Sequence, residues 1–176
     1  LNAVQNGADL LLLVLDNRWV AMTGHQPSPT TDVLVDGTRR AAVDLVGFLK
    51  APGVRWVRRG DPFSPGTLEN LVRDGLKERG VRVIVVEGEC ALQSERRQKR
   101  GPPAFEEYVD LDPDRCQRCH RCYRELACPA IRERVDPAGE PVYAIDDALC
   151  QRCGVCEALC PNSAITRTRV VRRRAA

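Results

Sequence analysis

The chain has 176 residues, a net charge of +3, 43% hydrophobic residues and 5% aromatic ones. This is enough apolar material for one ordinary domain or two small ones. The charge is too small to argue for a nucleic-acid partner, and no stretch approaches the ~18 apolar residues of a membrane span, so neither partner is expected. The sequence opens with Leu1 rather than Met, inside what reads as a helix or loop, as a truncated gene or processed fragment would.

From the N-terminus, Leu10 to Asp16 is a continuous apolar run ending in Asp-Asn, the pattern of a parallel strand buried on both faces. Residues 39–50 place Ala42, Leu45, Val46 and Leu49 at helical spacing, with Gly53 as a stop. Val54 to Arg58 reads as a short strand. A turn over residues 61–65 leads into a helix with Ser64 as N-cap and Pro65 as first residue, its apolar face being Leu68, Leu71, Val72 and Leu76. Val81 to Val86 is a third buried strand. Strand, helix, strand, helix, strand predicts a parallel sheet, and ligands of such sheets sit beyond the carboxyl ends of the strands. Asp16, Asn17 and the loop to Gly37 lie there. A sheet of so few strands is expected to leave an apolar edge exposed.

Cys90 is the only cysteine before residue 116 and is expected to be structural. Residues 93–105 are charged and contain Pro102 and Pro103, the composition of a surface linker; docking of an acidic partner is the other use of such a run. The module that follows, residues 106–165, is an internal repeat. Apolar, strand-like pieces begin its halves (Tyr108 to Leu111, Val142 to Ile145), and Ala-Ile follows each Cys-Pro. Asp136 to Gly139 reads as a turn between strands. Ile131, Val135, Val142, Ile145 and Ile165 are the expected apolar wall, and residues 166–176 an arginine-rich tail that solubilises or steers acidic partners.

Eight of the nine cysteines carry the chemistry. Cys116, Cys119, Cys122 and Cys128 form C-x2-C-x2-C-x5-C-P; Cys150, Cys153, Cys156 and Cys160 form C-x2-C-x2-C-x3-C-P. The second is the two-cluster ferredoxin run, and the first differs by two residues before its last cysteine. Three thiolates two residues apart can wrap one corner of a cubane, and in such ferredoxins the cysteine before proline serves the other cluster. Cluster one is therefore assigned to Cys116, Cys119, Cys122 and Cys160, and cluster two to Cys150, Cys153, Cys156 and Cys128. Paired zinc sites are the plainer alternative, but they need two C-x2-C pairs per tetrahedron and no third cysteine. A disulfide framework fits a secreted chain, and no secretory signal is visible. His120, inside the first run, is expected to be an exposed non-ligand, since every cluster position already has a cysteine.

Leu13 to Asn17, followed by Ala21-Met22-Thr23-Gly24-His25-Gln26-Pro27, resembles the alpha subunit of indolepyruvate:ferredoxin oxidoreductases, thiamine-diphosphate enzymes of the 2-oxoacid:ferredoxin oxidoreductase group. The resemblance extends upstream through Asn2-Ala3-Val4 and downstream through Val83-Ile84-Val85 to Cys90-Ala91-Leu92, and that subunit also ends in a two-cluster ferredoxin domain with the longer gap in its first run. It implies an α/β, parallel-sheet, partial thiamine-diphosphate-binding domain over residues 1–92, followed by an α+β ferredoxin-like domain with two [4Fe–4S] clusters. It implies that Asn17 and the carbonyl of Trp19 hold Mg²⁺ on the diphosphate, and that His25 and Gln26 approach cofactor or substrate. The Gly-Asp-Gly-type motif of the family should lie before residue 1, so the chain looks like the C-terminal piece of a longer subunit, inactive alone. Arg18-Trp19-Val20 departs from the small polar residues expected there, which bears on pocket shape. The implied activity is cytoplasmic oxidative decarboxylation of aryl pyruvates to acyl-CoA, with a beta subunit, coenzyme A and external ferredoxin as partners. No residue is assigned as catalytic acid, base or nucleophile. The alternative is a stand-alone dicluster ferredoxin-type carrier whose first part is a docking domain.

Overall fold

The computed structural model describes residues 1–100 and 105–171, with side chains described for 1–96 and 107–170. The chain divides into two compact units, Leu1–Ser94 and Glu95–Ala176.

The first unit is built on a three-stranded parallel sheet of β1 (Leu10–Asp16), β4 (Trp56–Gly60) and β5 (Val81–Glu87), ordered β1-β5-β4. A two-stranded ribbon of β2 (Trp19–Val20) and β3 (Gln26–Pro27) follows β1. The helices are α1 (Asn2–Gln5), α2 (Leu45–Lys50) and α3 (Pro65–Lys77). Strand β5 is flanked on both sides, and its Val83, Ile84, Val85 and Val86 are buried, as β-branched residues in a central parallel strand should be. Two expectations fail here. Strand β1 is not buried on both faces: among the described residues it has one neighbour, and Leu12, Leu13 and Leu15 are exposed, Leu15 by 77%. The same fact supplies the expected apolar edge. The helix read over residues 39–50 shrinks to α2, because the N–H groups of Arg40 and Val43 are spent on the Asp32 and Pro29 carbonyls and Arg39 bridges to Val33. Asp44 then caps α2, accepting from the Val46 N–H at 3.2 Å.

Helix α3 starts with Pro65 after Ser64, whose hydroxyl donates to Thr67 Oγ1 at 3.0 Å rather than capping a backbone N–H. Its inner face runs through Leu68, Leu71, Val72 and Gly75, and Leu76 is 66% exposed, contrary to expectation. A Cβ at Gly75 would stand 3.0 Å from Leu11 Cδ1 and 3.1 Å from the Trp56 ring, so glycine lets the helix approach the sheet without displacing either side chain. The residues read as a linker are helical through Arg100, as α4 (Ala91–Arg100). No Gly or Pro interrupts that span, and Leu, Gln, Glu, Arg and Lys are good helix formers. The rest of the linker, residues 101–104, lies outside the described residues.

The second unit interleaves its halves. Strand β6 (Phe105–Leu111), ahead of the first cysteine run, pairs antiparallel with β9 (Ile165–Val171), after the second. Strand β7 (Ile131–Val135), after the first run, pairs with β8 (Pro141–Ile145), before the second. Short helices α5 (Arg121–Arg124) and α6 (Val155–Leu159) carry the third cysteine of each run. Asp136 Oδ1 accepts from the N–H groups of Ala138 and Glu140, and Gly139 adopts φ +85°, which makes the β7–β8 turn. Val109, Leu111, Ile131, Tyr143, Cys156 and Ile165 form the core. Val135 does not belong to the wall: at the last position of β7, beside the turn, it is 71% exposed. Nor are residues 166–171 a loose tail, since they continue the ladder that Ile165 starts with Leu111, pairing with β6 as far as Phe105. Arg172, Arg173 and Arg174 lie outside the described residues.

Candidate functional sites: a strand-end loop and two thiol clusters

The strand-end loop lies at the carboxyl ends of β1 and β5. Asp16 Oδ1 accepts from the Arg18 N–H at 2.8 Å and from the Thr30 hydroxyl at 2.6 Å. Asn17 Oδ1 accepts from the Trp19 N–H at 2.9 Å, an Asx turn that places Arg18 at φ +63°. The exposed Asn17 amide oxygen keeps a second lone pair after that bond. Trp19 faces Pro27 in the β2–β3 ladder, and proline has no N–H to offer its carbonyl. An amide oxygen and a carbonyl with acceptor capacity to spare, two residues apart at a strand end, fit a hard cation of the Mg²⁺ type.

His25 (φ +64°) and Gln26 close the same loop. Gln26 Nε2 donates to the Thr23 carbonyl at 2.6 Å while the Thr23 hydroxyl donates to Gln26 Oε1 at 2.7 Å, so these two side chains fix each other. Cys90, after β5, has its N–H on the Asn17 carbonyl at 3.1 Å and its Sγ 3.5 Å from His25 Nε2. Sequence reasoning placed His25 and Cys90 in separate roles. Their meeting follows from β1 and β5 being neighbours, which no local signal reveals.

In the second unit the repeat is visible in the backbone. Arg118 and Arg152, at equivalent places in Cys-Gln-Arg-Cys, share φ +54° and +55°; His120 and Gly154 follow at +63° and +80°. These left-handed turns give the two runs the same curl, with Cys156 buried and Cys119 left exposed. The halves then lock together: the Asp112 N–H donates to the Ala164 carbonyl and the Asp146 N–H to the Ala130 carbonyl, each at 2.8 Å. The segment after each Cys-Pro is thereby held against the strand that begins the opposite half.

Accordingly Cys116, Cys119, Cys122 and Cys160 line one cavity, with Leu111, Tyr143 and Ile165 in its walls. Burial, then the neighbouring Cys116, Cys119 and Cys160, pushes the Cys122 thiol up. Cys156 is buried and pushed up to about 11, by desolvation first and then by Cys153, with Cys150 and Cys128 also contributing. Cys150 is raised by desolvation above all, partly offset by the Arg152 N–H on its sulfur at 3.4 Å. The Ala164 N–H donates to Cys160 Sγ at 3.3 Å. All nine thiols are free of disulfides. Among the described residues no three Cys, His, Asp or Glu side chains converge as they would on a single ion. Two groups of four thiols, walled by apolar side chains and offered N–H···S bonds, fit cluster-sized inorganic groups.

His120 is half-buried rather than exposed. Its ring stands edge-on to Tyr143 at 5.6 Å, and its Nδ1 hydrogen-bonds the Tyr143 hydroxyl. That hydroxyl donates to Glu133 Oε1 at 3.0 Å, so toward His120 it accepts and Nδ1 carries the proton. Burial, then the Glu133 hydrogen bond, pushes Tyr143 up to about 12. Tyr143 and Leu111 are wall residues that sequence reading missed; a tyrosine centred in one apolar strand and a leucine ending another were the available signals.

Residues 1–86 match the family of the C-terminal TPP-binding domain of thiamine pyrophosphate enzymes, and residues 143–166 match the 4Fe-4S binding domain family. The cofactors of these families are thiamine diphosphate and iron–sulfur clusters. Over 165 residues the chain is 35% identical to the indolepyruvate oxidoreductase subunit IorA of Archaeoglobus fulgidus, 34% to that of Methanothermobacter thermautotrophicus and 33% to that of Methanothermobacter marburgensis. Each alignment covers 94% of this chain and 25% of the relative, so the chain spans a quarter of the length of the curated relatives it matches. A thiamine-diphosphate-binding sheet running directly into a ferredoxin-like module, with identity maintained across both, places the chain in the family of indolepyruvate oxidoreductase IorA subunits.

Proposed function

We propose that this chain is the cation-clamping and electron-relay part of a 2-oxoacid:ferredoxin oxidoreductase that oxidatively decarboxylates aryl pyruvates of the indolepyruvate type to acyl-CoA. The reading rests on one observation above others: a strand-end loop whose Asn17 amide oxygen and Trp19 carbonyl keep acceptor capacity stands in the same chain as two interleaved four-thiol groups. Residues 1–92 would serve the cofactor and residues 106–165 the relay. Asn17 through its amide oxygen and Trp19 through its carbonyl would hold Mg²⁺, and His25 and Gln26 would border cofactor or substrate. Bound thiamine diphosphate supplies the electron sink that decarboxylation of a 2-oxoacid needs.

The chain's own residues do the rest. Asp16, tied to Thr30 and the Arg18 N–H, fixes the turn that presents Asn17. Cys116, Cys119, Cys122 and Cys160 would hold one [4Fe–4S] cluster and Cys150, Cys153, Cys156 and Cys128 the other. Leu111, Ile131, Tyr143 and Ile165, buried in one core with Cys156, would limit the access of water to both sites. Clusters so held accept and give single electrons, which suits delivery to an external ferredoxin. A beta subunit and coenzyme A complete the proposed assembly, in an oxygen-poor cytoplasm. No helix among the described residues is long and apolar enough to cross a membrane.

The test uses the full-length subunit with its partner, purified without oxygen. Indolepyruvate plus coenzyme A should reduce ferredoxin, and Asn17→Ala should weaken Mg²⁺-dependent cofactor binding at least tenfold. Reduction with other 2-oxoacids but with no aryl pyruvate would refute the substrate class. No reduction with any 2-oxoacid would refute the reading.

A further inference from the structure

The two Cys-Gln-Arg-Cys segments carry the same arginine into opposite surroundings. In the first, Arg118 Nη2 stands 3.3 Å from Asp136 Oδ2 and Nη1 3.5 Å from Glu140 Oε2, so two carboxylates neutralise it. In the second, Arg152 has the same backbone conformation but its Nε is buried without a hydrogen-bond partner, and no carboxylate among the described residues pairs with it. Its own N–H lies on Cys150 Sγ. A second guanidinium follows it. Arg167 Nη1 donates to the Arg152 carbonyl at 3.3 Å, in space that exists because residue 154 is glycine: a Cβ there would stand 3.3 Å from Arg167 Cζ. The first half has His120 at that position. Glu157, the one carboxylate among the described residues that meets Arg167, accepts from its backbone N–H at 3.0 Å and not from its guanidinium.

A guanidinium stays charged at any pH a protein tolerates, and a charge without a counter-ion acts strongly where water is scarce. Adding one electron to a cluster adds one negative charge, so a cation without a counter-ion beside it favours the reduced form. Net charge near a cluster is one of the determinants of its potential.

We propose that Arg152 is an electrostatic tuning residue, raising the midpoint potential of the cluster held by Cys150, Cys153, Cys156 and Cys128, while Arg118, neutralised by Asp136 and Glu140, leaves the other cluster unshifted. This rests on the iron–sulfur reading above. Burial works the other way, because Cys156 is buried and Cys119 is exposed. The measure of the effect is therefore the change on removing each charge and not the gap between the two clusters.

The experiment is a redox titration of the full chain, purified without oxygen and followed by electron paramagnetic resonance. Arg152→Gln should shift one midpoint downward and leave the other in place. Arg152→Lys, which keeps the charge, should stay near the wild type, and Arg118→Gln should move neither midpoint comparably. Unmoved midpoints in Arg152→Gln, an equal shift in Arg152→Lys, or an equal shift in Arg118→Gln would each overturn the proposal. Should Arg152→Gln fail to load its cluster, the double variant Asp136→Asn/Glu140→Gln provides the reciprocal test. It frees Arg118 and should raise the other midpoint; no rise overturns the proposal. A wild-type chain without iron and sulfide would instead refute the cluster reading itself, a result distinct from all of these.

Discussion

The two units bury different things. In the first, the best-buried side chains are Val83, Ile84 and Val85 on a strand with neighbours on both sides, and a purely hydrocarbon core needs nothing but the chain. In the second, Cys156 sits in the core beside Ile131 and Ile165, and Cys116, Cys122, Cys128, Cys150 and Cys160 pack against it. Among the described residues after α4, four of the six elements are strands paired across the repeat, and the two others are helices of at most five residues. Such a module is too small to fold on apolar burial alone. The difference teaches that one chain can hold a unit whose core is hydrocarbon and a unit whose core is shared with cysteine side chains; dependence of the second on inorganic contents is what the predictions test.

Removing iron from the chain should separate the two units most sharply. Chelation is expected to abolish hydrogen-exchange protection across β6–β9 and β7–β8 while leaving β5 protected. Retained protection in both ladders would show that the thiols are incidental to the fold. A single ligand comes next. Cys160→Ser should cost about four of the eight or so iron atoms per chain, and the missing cluster should be the one served by Cys116, Cys119 and Cys122. Loss of the other cluster, as uncrossed ligation demands, would contradict the crossed assignment that the Asp112–Ala164 hydrogen bond supports.

In the first unit, Ile84→Ala at a fully buried position should destabilise by about 2–5 kcal/mol in denaturant titration. Leu15→Ala on the exposed edge should stay within about 0.5 kcal/mol. Equal costs would mean that β1 is covered in solution. The smallest effect concerns protons. Thiols must lose protons to bind iron, and burial raises Cys122, Cys150 and Cys156, the last to about 11. Raised thiols still hold their protons at neutral pH, so cluster loading releases them and strengthens as pH rises from 7 toward 9. Reconstitution that is independent of pH over that range would show the thiols already ionised.

What the sequence made legible follows from locality. The cysteine runs were readable because their ligands lie two residues apart within one turn, and the Asp136–Gly139 turn because its chemistry is local. Strand β5 was readable because a central parallel strand is apolar at every position. Strand β1 has the same apolar pattern yet stands at an edge, and nothing in seven residues says how many neighbours a strand has. The boundary between the units, at Ser94 and Glu95, falls within the charged residues read as a linker; that they are helical was not legible because their composition is charged and little of it is apolar. Residues 166–171 looked like a tail because their partner, β6, lies some 60 positions earlier. The His25–Cys90 and His120–Tyr143 contacts were illegible for the same reason: both are made by elements that meet only in the fold.

The central claim is that the thiols form two four-membered sets, each completed by the cysteine of the opposite half. Electron paramagnetic resonance of the dithionite-reduced chain, with iron and sulfide measured on the same sample, tests it most directly. The account predicts about eight iron and eight sulfide per chain and the broadened spectrum of two magnetically coupled cubanes. Bound zinc without sulfide, or the sharp spectrum of one isolated cluster, would contradict it.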